Sequence, residues 1–350
     1  MKSMRNFVQV WFGLAFLFYL SGCGPTKVPI NVLKPAEVDM IGIKKIAIAE
    51  FTGEENSGSL AANLLTSKLM TTQHYEILER EKLEKVVEEH QLSMSGLINE
   101  DEAKQLGQFL GVDGLIFGGV STYRVEPDER GIEKVTKKVW TGEYERDKNG
   151  NIKTEKTLLG IKVKKKIYKE VLVDEPYRIR RGSVTANLRI VNVETGQLVY
   201  SEAISRSYNS GKVLDSSSRT LPPKENILTN LMNQVLDIFV KQIAPHYITA
   251  YKAIEGGEGD IDVGKKFAKN GLWPEAQQAW LRAIKNNPNS TAALYNLGLA
   301  YEVEGKLDVA EKYYEKASAL NPKDLYLKAI SNIRKAKAEK ERLRRQMEER

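Results

Sequence analysis

The sequence predicts an α/β domain, an α+β sandwich of helices against a sheet, followed by an all-α module of paired helices. Three observations carry that prediction. Two short apolar runs, Ile46-Ala47-Ile48-Ala49-Glu50-Phe51 and Gly114-Leu115-Ile116-Phe117-Gly118-Gly119-Val120, read as buried strands, and helical patterns lie between them. A long apolar stripe over 224–243 has helical spacing and suits one face of a sheet. Beyond a glycine-rich linker, seven residues recur at a fixed offset of 34.

In chain order, the first strand leads through a turn-rich segment, 52–58, into a helix bearing Leu60, Leu64, Leu65 and Leu69. A short strand, Tyr75-Glu76-Ile77-Leu78, and two helices at about 79–91 and 100–110 precede the second buried strand. Residues 183–192 and 197–207 alternate as a hairpin turning at Glu194-Thr195-Gly196. The 224–243 helix closes a domain spanning 41–250, into which 126–181 is inserted. Glu255-Gly256-Gly257-Glu258-Gly259-Asp260 is a flexible linker. The helical module follows over 257–338, and the almost wholly charged tail 339–350 is expected to fray.

The first residues carry a different message. Lys2 and Arg5 precede an uncharged apolar run over 7–20, followed at once by Ser21, Gly22 and Cys23. That is the order of an export signal occupying 1–22, and the run is short for a membrane helix, which needs roughly 20 apolar residues. Leu20-Ser21-Gly22-Cys23 resembles the lipobox of bacterial lipoproteins, which implies a lipid on the Cys23 thiol and cleavage before it. A polar, proline-punctuated tether over 23–40 then reaches the first fold. Gly24, rather than aspartate, follows the cysteine, which by the same resemblance implies the outer membrane, periplasmic face.

Composition excludes several chemistries. Cys23 is the only cysteine, so no intrachain disulfide or cysteine zinc site can form. His74, His90 and His246 are far apart and lack the helical pairing of a zinc protease. Gly259 to Gly264-Lys265 has the spacing of a phosphate loop, but Lys266 stands where Ser or Thr would hold magnesium, and no buried strand precedes it. No catalytic residues, metal or cofactor are expected. The net charge of +7 is concentrated in 126–181, with 16 basic and 11 acidic residues, and in 325–350, with 9 and 4. A basic insert and a basic tail do not make a nucleic-acid surface, so no nucleic-acid partner is expected.

The 34-residue recurrence pairs Gly264, Phe267, Gly271, Ala276, Trp280, Ala283 and Pro288 with Gly298, Tyr301, Gly305, Ala310, Tyr314, Ala317 and Pro322. Its period and residue types resemble the tetratricopeptide repeat, with 325–338 as a capping helix. The resemblance implies a concave groove lined by the first helix of each unit. Its partner-binding positions here include Lys265, Lys269, Tyr295, Asn296 and Glu302, suited to an acidic or C-terminal peptide segment.

The 46–123 stretch resembles the curli assembly and transport lipoproteins, the CsgG-like family. The carrying residues are the first strand, Leu65, Leu69, Tyr75-Glu76-Ile77-Leu78-Glu79-Arg80, Leu83, Glu89, Leu92, Ser95-Gly96, Ala103, Leu106-Gly107 and Gly111-Val112-Asp113-Gly114. A second block runs from Ala186-Asn187-Leu188-Arg189 to Thr195-Gly196. The family implies an envelope lipoprotein and, in its best-known branch, a homo-oligomeric ring whose hairpins share an export barrel. Here the first hairpin position, 126–181, could fold back at Lys148-Asn149-Gly150-Asn151. The stretch from Thr157 to Val173 nearly alternates like a lipid-facing strand, but Lys165 and Lys169 fall on its apolar face. The second hairpin position holds only 209–223, too short to cross a membrane twice. The insert is therefore expected either as a soluble hairpin or as part of a pore. Three functions follow: a non-enzymatic assembly or scaffold factor that recruits protein partners, a secretion channel for surface fibres or adhesins, or a regulator of an envelope enzyme such as a peptidoglycan synthase.

Overall fold

In the computed structural model of the chain, residues 26–49, 51–78 and 100–348 are described, those at 100–103 and 106 by their backbone alone. The export signal, Cys23 and the helix expected over 79–91 lie outside them. The strands are β1 (Thr26–Lys34), β2 (Lys45–Ile48), β3 (Thr52–Gly53), β4 (Glu76–Ile77), β5 (Gly114–Val125), β6 (Glu129–Tyr144) and β7 (Thr154–Lys156). They continue with β8 (Lys162–Lys164), β9 (Lys166–Ile179), β10 (Arg181–Asn192), β11 (Leu198–Asn209), β12 (Val213–Leu214) and β13 (His246–Ile254). The helices are α1 (Ser57–Thr72), α2 (Glu100–Leu110), α3 (Lys224–Ile243), α4 (Asp260–Lys269), α5 (Trp273–Asn286), α6 (Thr291–Val303), α7 (Leu307–Leu320) and α8 (Asp324–Glu348). The chain divides into two compact units, one built on Pro35–His246 and one on Tyr247–Arg342 together with the segment up to Lys34.

The first unit is a mixed sheet in the order β11-β10-β5-β2-β4, with β3 beside β5. β2 pairs in parallel with β5 and β4, whereas β10 runs antiparallel to β5 and β11. On one face α1 and α3 bury Leu65, Leu69, Leu231, Val235, Leu236 and Phe239 against Ile46, Ile116, Leu188 and Ile190. On the other, Leu110 at the end of α2 joins Ala47, Ala49, Leu115, Phe117, Val191 and Val193. The central strands are apolar on both sides because both sides are covered. The expected 224–243 helix forms at those bounds, and its apolar stripe is the inner face of α3.

The second unit stacks α4 to α8. Repeat glycines sit where helices touch: a Cβ added at Gly264 would lie 2.4 Å from Trp280 Nε1, and one at Gly298 would lie 2.8 Å from the Tyr314 ring. The 34-residue period thus reflects small residues making room for the aromatic of the paired helix. Two expectations are modified. Residues 26–34 of the expected tether are extended, but they form β1, which pairs with β13 and buries Val28 among Trp280, Leu297 and Ala300. The tail expected to fray continues α8 through Glu348. Along this helix Glu339 pairs with Lys34 at 2.5 Å, Lys337 with Asp308 and Glu311 at 2.5 Å each, and Arg344 with Glu348 one turn on.

Candidate functional site

The groove of the repeat unit is built by the inner face of α6, with α7 and the start of α8 behind it. α6 is buried along Ala293 to Ala300, and its Gly298 lies against the Tyr314 ring of α7. Three tyrosines cluster there, the Tyr295 ring 5.2 Å from Tyr326 and 5.4 Å from Tyr314. Burial is the main cause that holds the Tyr295 and Tyr314 hydroxyls protonated well above the usual tyrosine range, and the Glu302 carboxylate adds to it.

The groove already holds a peptide, and that peptide is the chain's own segment 252–255. Lys252 Nζ pairs with Glu302 Oε1 at 2.6 Å, while Glu302 Oε2 accepts the Tyr314 hydroxyl at 2.6 Å. The Tyr295 hydroxyl donates to the carbonyl of Ala253 at 3.0 Å. Ile254 is 1% exposed and packs with Ala268, Ala276 and Trp280. Asn296 clamps the backbone of Glu255 from both sides, its Oδ1 accepting the Glu255 N–H at 2.9 Å and its Nδ2 donating to the Glu255 carbonyl at 2.9 Å. The Glu255 carboxylate is closed off by Lys323 at 2.8 Å and by the Tyr326 hydroxyl.

Of the five residues expected to hold a partner, three are therefore brought together and engaged. Tyr295 and Asn296 are buried, and the Glu302 side chain is 10% exposed, so none of the three lines an open surface. Lys265 and Lys269 lie apart on α4, half-buried and exposed respectively. Sequence reasoning missed Lys252, Ile254, Glu255, Lys323 and Tyr326, and it placed a linker where the clamp begins. In the sequence, Ile248, Ala250 and Ile254 at even spacing are the signal that could have revealed β13. Among the described residues no three or more His, Cys, Asp or Glu side chains gather to hold a metal ion.

The insert is the second distinctive feature. β6 and β9 form a long antiparallel ribbon, with β12 on its far edge. Its base is fixed where Arg180 grips Asp128 through two bonds of 2.7 Å and donates to the Pro222 carbonyl at 2.7 Å. That fork holds the Asp128 carboxyl below its ordinary range. Charged side chains interrupt both faces of the ribbon: Lys134, Lys138, Glu170 and Asp174 on one, Glu133, Lys137, Lys169 and Glu175 on the other. Neither face offers the unbroken apolar band that a barrel wall presents to lipid. Nor is Thr157 to Val173 one strand. The expected turn at 147–151 forms, but a second turn at 157–161 separates β7 from β8, and β9 starts afresh at Lys166.

The sequence of residues 40–218 matches the family model for the curli production assembly/transport component CsgG. That match takes in just over half of the chain. The protein belongs to the CsgG family. Residues 264–324 match a tetratricopeptide-repeat model, so this CsgG-family chain carries tetratricopeptide repeats at its C-terminal end. The matched CsgG region contains the sheet, α1, α2 and the ribbon. No curated protein matches the sequence. Among solved structures, lipoprotein GNA1162 from Neisseria meningitidis is 13% identical, over 57% of this chain and 96% of its own, at a TM-score of 0.29. The PelC dodecamer from Paraburkholderia phytofirmans is 11% identical, over 63% and 99%, at 0.27. The LpoB C-terminal domain from Salmonella enterica is 10% identical, over 49% and 87%, at 0.27. At TM-scores below 0.5 these add no weight, and membership rests on the family match. Among the described residues no helix is long and apolar enough to cross a membrane.

Proposed function

We propose that this CsgG-family protein is a non-enzymatic assembly factor of the bacterial cell envelope. A lipid on Cys23 fastens it at the periplasmic face of the outer membrane, and its repeats gather protein partners. The observation that carries this reading is the grip of Asn296 on the backbone N–H and carbonyl of Glu255. An amide that satisfies both main-chain groups of one residue recognises extended backbone whatever side chain it bears. The groove is thus built to hold a peptide strand. Lys265 and Lys269 supply positive charge on the first repeat, suited to acidic side chains of a longer ligand.

A partner that uses Tyr295, Asn296 and Glu302 must displace residues 252–255. Cross-linking in intact cells, followed by mass spectrometry of what is captured, tests this. Wild-type protein should capture one or more envelope proteins. Ile254→Asp, which drives its own segment out of the core, should capture several-fold more, and Lys265→Glu with Lys269→Glu should capture less. Equal capture by all three would overturn the reading.

A further inference from the structure

We infer that the turn at 157–161 is a membrane contact of its own, a shallow apolar anchor that enters the interface of an anionic phospholipid bilayer. The inference starts from a branch in the ribbon. Beyond Tyr144 the chain splits into two short fingers that meet at Glu145, Lys153 and Lys165. The Glu145 N–H donates to the Lys165 carbonyl at 2.8 Å, Lys153 N–H to Glu145 at 2.8 Å, and Lys165 N–H to Lys153 at 2.9 Å. The Glu145 carboxylate binds both ammonium groups at 2.5 Å. The branch is therefore held by backbone and charge together.

The two fingers end differently. One turns through Asp147-Lys148-Asn149-Gly150, with Asp147 accepting from the N–H groups of Asn149 and Asn151, as turn chemistry favours. The other turns through Thr157-Leu158-Leu159-Gly160-Ile161. Its geometry is complete without any apolar group: Gly160 N–H donates to the Thr157 carbonyl at 2.8 Å, Thr157 N–H to Ile161 at 2.9 Å, and Gly160 takes a φ of +78°. This is a closed three-residue hairpin loop whose corners would accept polar residues equally well. They carry leucines instead. Leu158 is 108% exposed, Leu159 86% and Ile161 60%, so no part of the fold covers them.

Charge identifies the occupant. Between Lys153 and Lys166 the sequence holds six lysines and one acidic residue, Glu155; Glu145 takes Lys153 and Lys165, and the other four are Lys156, Lys162, Lys164 and Lys166. Lys156 and Lys162 are register partners directly behind the turn, with Lys164 opposite Thr154 two residues further back. At about 3.3 Å of rise per residue they stand roughly 7 to 13 Å behind Leu158. That is the depth at which ammonium groups meet lipid phosphates while the apolar side chains beyond them enter the acyl boundary. Behind these, Lys164 and Lys166 lie over the rings of Tyr144 and Trp140, aromatic types suited to an interface. Lysines on both strands surround a convex tip, and a plane of negative headgroups can meet all of them at once.

Cys23 is the only cysteine, so the full chain carrying Cys23→Ser and Leu158→Cys bears one thiol, on the tip. Labelled there with an environment-sensitive fluorophore, it should shift to the blue with phosphatidylglycerol vesicles and be quenched by nitroxides placed shallowly in the lipid. The shift should be absent with phosphatidylcholine and should weaken as salt is raised. Adding Leu159→Asp and Ile161→Asp should weaken partitioning at least about tenfold, and Lys156→Glu with Lys162→Glu should abolish the preference for anionic lipid. No shift with anionic vesicles would overturn the inference. So would an equal response to neutral vesicles, or a shift that appears without lipid as protein concentration rises, the sign of a second copy or another protein surface.

Discussion

Asn296 decides the repeat groove. Asn296→Ala leaves the N–H and carbonyl of Glu255 without their partner in a part-buried site, at a cost of about 2 to 4 kcal/mol. Urea denaturation should show the loss, and amide exchange at Glu255 should quicken well before the helices open. Glycine at 298 is as restrictive: Gly298→Ala puts a methyl group 2.8 Å from the Tyr314 ring and should cost about 1 to 3 kcal/mol. Glu145 is a residue whose role depends on pH. Hydrogen bonds from Lys153 and Lys165 hold its carboxyl at about 2, below the ordinary 4.5. Its contribution to the branch is fully present above about pH 4.5, and it is lost as pH falls through 2. An NMR titration should show the Glu145 carboxyl and the Lys153 and Lys165 amides shifting together in that acid range, whereas Glu145→Gln should remove the shared transition.

Among elements, the ribbon and β1 each have one contact whose loss can be tested. The Arg180 fork on Asp128 is the joint between β6/β9 and the sheet, and both side chains are only 15% exposed. Arg180→Ala should cost about 2 kcal/mol, because it leaves the Asp128 carboxylate and the Pro222 carbonyl without their donors. Protease sensitivity should rise at the base of the ribbon before it rises in the sheet. β1 is held by Val28, 2% exposed in the repeat core. Val28→Ala should lower the melting temperature of the repeat unit, at about 1 to 2 kcal/mol for the lost methyl groups and the cavity. The sequence of β1 reads as a tether because Pro29 interrupts it and polar residues flank the alternating Val28, Ile30 and Val32. Its partner, β13, stands more than 200 residues away, and no local pattern reports a pairing of that separation.

For the whole molecule, charge and attachment matter more than stability. The net +7 is not spread evenly: the basic groups concentrate in the insert and along α8, where Arg334, Lys337 and Arg344 face carboxylates. Those in the finger outnumber their acidic neighbours, which makes the insert the strongest positive feature of the first unit. The proposed attachment through Cys23 is open to a direct test. Labelled palmitate should enter the mature protein, whereas Cys23→Ser should remain unlabelled and keep Met1 at its N-terminus. An unlabelled wild type would remove the lipid from the account, and a labelled Cys23→Ser protein would move it to another residue.

Two properties were settled by the residues alone: the strands and helices of the CsgG region outside the insert, among the described residues, and the 34-residue pairing of the repeats. Both are written in local periodicity, as the α3 stripe and the Gly264/Trp280 and Gly298/Tyr314 contacts show. Tertiary structure decided what occupies the groove and where the insert turns. Whether Tyr295 and Asn296 face solvent or the 252–255 segment depends on which distant strand packs there, and spacing within α6 is the same in either case. The second turn of the finger was hidden because Leu158 and Leu159 look like buried strand residues until backbone bonds close around Gly160.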